Sequence, residues 1–134
     1  MRALALTLLL TLPFFANAMG EGAWQASAMG PVLSQRGMAA SSPVLAPQDS
    51  PPPAGVMTLV VWRYELIGPT PAGLVTRLCS QTRCVQIDDQ TGTTRAFTNV
   101  PAAEPLRFIF EVPGGGRMFP ALEVRSSQVI VNYR

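Results

Sequence analysis

The run Leu106-Arg107-Phe108-Ile109-Phe110-Glu111-Val112 puts Leu106, Phe108, Phe110 and Val112 on one side of an extended chain and both charges on the other. This period of two constrains the fold most, because a helix would scatter those four apolar residues around its circumference. The same alternation recurs in VMTLVVWRYELI, where Val60, Trp62, Tyr64 and Leu66 oppose Arg63 and Glu65. The first half of that segment is apolar on both faces, which predicts a central strand. Leu74–Cys79 and Cys84–Asp88 read as two strands joined by a polar turn, Ser80 to Arg83. The turn residues Asp88 to Gly92 lead into a strand over Thr93–Thr98. After Pro113-Gly114-Gly115-Gly116, expected to be a flexible hairpin connection, come strands at Ala121–Arg125 and Gln128–Tyr133. No window carries a 3.6-residue period, and aromatic and β-branched residues dominate. These features predict an all-β chain with a single antiparallel β-sandwich domain.

The beginning of the chain differs. MRALALTLLLTLPFFANA has one charge, an apolar run over 3–15 and small residues at Ala16 and Ala18. A run of that length falls short of the about 20 residues a membrane span needs, so residues 1–18 read as a signal peptide cleaved before Met19. Residues 19–134 then form the domain, with no later segment able to cross a bilayer. A chain of this size has one core, burying about 65% of the surface its unfolded form exposes. Candidate strands lie at Trp24–Met29 and Val32–Gln35, whereas residues 37–55 hold five prolines and read as a surface crossover or loop.

The side-chain inventory excludes several functions. The formal net charge is +2, every basic residue is Arg, and Arg63 with Glu65, Arg107 with Glu111 and Glu123 with Arg125 are interspersed. There is no basic stripe for a nucleic acid. The chain has no His, which removes Ser-His and Cys-His nucleophile activation. Its two cysteines, Cys79 and Cys84, are too few for a structural zinc site, and their spacing differs from the redox Cys-x-x-Cys motif. In the oxidising compartment to which a signal peptide leads, they are expected to form a disulfide. No metal or cofactor is implied. Asp88 and Asp89 read as turn residues rather than as a catalytic pair, so the chain is read as non-enzymatic. Among the aromatics, Trp24 and Trp62 are the candidates for an exposed, ligand-facing ring, which would suit a carbohydrate-binding module docking on peptidoglycan.

Five segments in order, GEGAWQASAMGPVLSQRG, MTLVVWRYELIGPTPAGL, RLCSQTRCVQID, RAFTNVPAAEPLRFIFEVPGGGR and PALEVRSSQVIVNYR, resemble the FlhE family of flagellar proteins of Gram-negative bacteria. The resemblance implies a periplasmic β-sandwich encoded beside inner-membrane components of the flagellar type III export apparatus. It further implies a role in flagellar assembly and swarming, as a chaperone or gatekeeper that limits premature assembly or proton leak. The partner implied is a flagellar rod or export-apparatus protein. No catalytic residues come with the resemblance, and the Cys79–Cys84 pair matches the family's hairpin.

Overall fold

The computed structural model describes residues 21–134; the expected cleavage site at Ala16, Ala18 and Met19 lies outside the described residues. Nine strands form two antiparallel sheets, and no helix occurs among the described residues. The first sheet contains β1 (Gly22–Ala28), β2 (Val32–Gln35), β4 (Met57–Ile67), β7 (Thr91–Thr94) and β9 (Arg117–Tyr133). Its order is β1-β9-β4-β7, with β2 pairing the other half of β9. The second sheet runs β3 (Ala39–Ser41), β8 (Arg107–Glu111), β5 (Val75–Cys79) and β6 (Cys84–Ile87). As expected, β4 is interior to its sheet, between β9 and β7.

The alternation read from the sequence fills the space between the sheets. Val60, Trp62 and Tyr64 of β4 and Val129 and Val131 of β9 are buried, as are Leu78 of β5 and Phe108 and Phe110 of β8. Across the two sheets, Tyr64 meets the Phe110 ring edge-on, with centroids 5.2 Å apart. Such aromatic pairs add about 0.5–1.5 kcal/mol to the burial of their surface. The buried Thr76 hydroxyl donates to Tyr64 Oη at 3.4 Å.

Three expectations need correction. The two strands foreseen at the C-terminal end are one, β9. A register shift opposite Glu65 and Leu66 skips Arg125, so the buried set passes from Met118, Leu122 and Val124 to Ser127, Val129 and Val131. One extra residue inverts the facing of everything beyond it, which makes one bulged strand look like two. The strand foreseen at Thr93–Thr98 stops at Thr94, because the chain turns there, with Thr98 N–H donating to Arg95 O, and drives Phe97 into the core. The tri-glycine segment is no hairpin; it carries the chain from β8 in the second sheet to β9 in the first.

The Pro-rich stretch 37–55 crosses between sheets as expected, but it is more than a surface loop. Before its first proline it supplies β3, and Ser42 extends the ladder, its N–H donating to Phe108 O and its hydroxyl accepting from Phe108 N–H. Leu45 and Leu106 then exchange both backbone hydrogen bonds, at 2.8 and 2.9 Å, and Leu45 is 1% exposed. Prolines at 43 and 47 fall where no ladder donor is needed, so the ladder survives between them.

Candidate functional site

Cys79 and Cys84 face each other at the end of the β5–β6 ladder and form the expected disulfide. The turn between them is independently ordered: Ser80 N–H donates to Arg83 O at 2.7 Å, and Ser80 Oγ accepts from the amides of Thr82 and Arg83. The disulfide is therefore a staple on a turn that already has its own hydrogen bonds.

The expectation that Trp24 and Trp62 turn a ring to a ligand is not met. Trp24 is 4% exposed, and its indole N–H donates to Ala102 O at 2.7 Å, tying β1 to the loop before β8. Trp62 is 8% exposed and donates to Asp89 O at 3.0 Å. It floors a shallow cleft of about 300 Å³ between the edges of β6 and β7, under Gly92. The physical reason is the phase of the strands: both indoles lie on the faces turned towards the opposite sheet, and a polar neighbour in sequence points the other way. Asp88 and Asp89 lie within the β6–β7 turn, Glu111 pairs with Arg77 at 3.4 Å, and Glu104 accepts from Gln81 N–H. Among the described residues no group of three or more His, Cys, Asp or Glu side chains is gathered to hold a metal.

The aromatic ring that does face outward is Phe119, 82% exposed. β9 continues its alternation back from Leu122 to Met118, which puts Phe119 and Glu123 on the outer face. Across that face, Glu123 lies between Ile67 of β4 and Val32 of β2, and Ile67 is 48% exposed. A groove of about 460 Å³ runs here, lined by Arg36, Ile67, Pro69, Pro71, Phe119 and Pro120 among others. Arg117 lies over the Phe119 ring, its Cζ 5.8 Å from the centroid. Arg36 is held at the same end by its own backbone, whose N–H donates to Gly116 O at 2.8 Å. The next residue, Gly37, has φ +82 and passes so close to the Gly114 carbonyl that a Cβ would collide with it. Glycine is required there, and it brings the β2–β3 turn against the tri-glycine crossover.

The sequence reading missed this groove. Its signal was available: counting back from Leu122 by twos puts Met118 inward and Phe119 outward. The proline after Phe119 and the glycines before Arg117 made the segment read as connection rather than strand.

Fold and surface together define a class: a small β-sandwich carrying one disulfide, whose most distinctive outward feature is an apolar, arginine-bordered groove. Comparison with known proteins narrows this. The model of the family described as flagellar protein FlhE matches residues 30–134. Flagellar protein FlhE of Salmonella typhimurium is 64% identical over 126 residues, covering 94% of this chain and 95% of the relative. The Escherichia coli K12 protein of that name is 57% identical with the same coverage, and that of Yersinia enterocolitica 41% over 88% of this chain and 85% of the relative. A solved structure described as the crystal structure of FLHE superposes with a TM-score of 0.83 at 67% identity, covering 86% of this chain and 98% of that one. The chain belongs to the FlhE family of flagellar proteins.

Proposed function

We propose that this protein is a non-enzymatic accessory of flagellar assembly that works in the periplasm through its surface. Residues 1–18 act as the export signal, and the domain binds a rod or export-apparatus component before that component is incorporated. As chaperone or gatekeeper it keeps apolar surface of the unassembled partner covered, and so limits premature assembly and proton leak through the export gate. The observation that carries this reading is the groove around Phe119 on a chain of the FlhE family. A large aromatic left in water beside Arg side chains is the composition of an interface anchor. The disulfide supports an oxidising location. No helix among the described residues is long and apolar enough to cross a membrane. The peptidoglycan-binding alternative loses its stacking platform with the burial of Trp24 and Trp62.

The test is capture and deletion in the flagellated host. A tagged copy is expected to recover a rod or export-apparatus protein, and a deletion strain is expected to assemble flagella or swarm abnormally. Normal flagellation and swarming without the gene, together with a capture that recovers no flagellar component, overturns the proposal.

A further inference from the structure

We infer that the Phe119 groove takes an extended segment of a partner protein in which apolar side chains are flanked by carboxylates. This rests on the reading above and specifies the partner's chemistry. Phe119 and Ile67 supply the apolar floor, and prolines at 69, 71 and 120 form a rim. Proline has no backbone N–H, and its ring gives stiff apolar walls that lose little freedom when covered.

The charge distribution selects the occupant. Among the described residues the ion pairs are Arg63–Glu65 and Arg77–Glu111, so Arg36 and Arg117 have none. Both border the Phe119 end, one lining the groove and the other over the ring, while Glu123 sits at the opposite end beside Ile67. An acidic residue next to an apolar one in the partner would meet Arg36 and Arg117, and a basic residue there would be repelled. Guanidinium groups engage carboxylates in a bidentate way, which fixes register as well as charge.

The surrounding strands favour an extended occupant. β2 pairs one side of β9 over Arg117 to Glu123, and on its other side β9 meets β4 only from Glu123 onward. Arg117 to Leu122 of β9 therefore lack a neighbouring strand on the side away from β2 among the described residues. The groove lies on that side, between these residues and Gly68 to Ala72, so a peptide lying there can add main-chain hydrogen bonds to its side-chain contacts.

The experiment uses the protein expressed from its full reading frame and three synthetic peptides with the same alternating leucines. One carries a pair of flanking glutamates, one a pair of lysines and one a pair of glutamines. Binding is followed by fluorescence anisotropy. The glutamate peptide is expected to bind about tenfold more tightly than the lysine peptide, with the difference collapsing between about 50 and about 500 mM salt. Phe119→Ser should abolish binding of all three. Arg36→Gln with Arg117→Gln should retain binding but equalise the peptides. Melting temperatures matching the parent's show that these exposed replacements leave the fold intact. Equal affinities for the three peptides, no binding by any of them, or binding indifferent to Phe119→Ser overturns the inference. So does a concentration-dependent dimer in sedimentation that Phe119→Ser dissolves, since the occupant would then be a second copy. Failure here with a flagellar protein still captured in the host refutes the groove and leaves the accessory role standing. Peptide binding as expected, with no flagellar protein captured and with normal flagellation and swarming in the deletion strain, does the reverse.

Discussion

Gly92 shows how much a single missing methyl group can decide. A Cβ on it would lie 2.6 and 2.7 Å from two ring carbons of Trp62, and that indole is already fixed by its bond to Asp89 O. A rigid aromatic ring cannot yield as the tip of a lysine would, so Gly92→Ala is expected to destabilise the domain by about 1–3 kcal/mol through overpacking. Gly115 has nothing within 4 Å of such a Cβ, and Gly115→Ala is expected to stay within about 0.5 kcal/mol of the parent. Urea unfolding midpoints check the pair, and equal effects at both sites would contradict the packing described. The aromatic positions were only partly legible in the sequence for a related reason. The alternation fixed that Trp62 shares a face with Val60 and Tyr64, and burial followed. Trp24 has small or polar neighbours, and its inward facing depends on the Ala102 carbonyl, 78 residues away.

Among the elements, strands whose alternation is unbroken were readable within a residue or two: β4, β5, β6 and β8 need no information beyond their own side chains. β7 was misplaced because a local turn at Arg95 to Thr98 ends it at Thr94, whereas β9 and β3 were misread because their conformation depends on distant partners. β9 carries a bulge opposite Glu65 and Leu66, and β3 with Leu45 is ordered by backbone bonds to β8 and Leu106. Nothing in a Pro-rich segment announces such bonds. If the segment is part of the core, Leu45→Ala should cost about 2–5 kcal/mol, as for other buried leucines. Its exposed neighbour Val44 should tolerate alanine within about 0.5 kcal/mol. Guanidinium titration distinguishes them, and a silent Leu45→Ala would return the stretch to a surface loop. The β5–β6 hairpin makes a complementary case. Its disulfide closes a short loop, so Cys79→Ala with Cys84→Ala is expected to lose about 2 kcal/mol by the chain-entropy account. The Ser80 hydrogen bonds remain in that variant, and it should still fold, as far-UV circular dichroism would show.

At the scale of the molecule, the path of the chain couples the two sheets. Of the eight connections between consecutive strands, six switch sheet, and only β1–β2 and β5–β6 stay within one. Neither sheet is thus assembled from one continuous stretch of sequence. β9 adds to this by pairing β1, β2 and β4 along its length, so its loss removes the neighbour of three strands at once. A topology of this kind has few local contacts, which makes folding slow, in the millisecond to second range for comparable sandwiches, and leaves little that can unfold alone. The whole domain should therefore melt in one transition. Both tryptophans sit in the first sheet while circular dichroism reports on both sheets, so the two signals followed through urea distinguish coupled from separate unfolding. Coincident midpoints and a single exponential refolding phase are expected. A fluorescence midpoint displaced from the dichroism midpoint would mean that one sheet survives without the other. In that case the groove, lined by Arg36, the end of β4, the loop from Gly68 to Ala72 and the first part of β9, would no longer be held by the fold as one rigid surface.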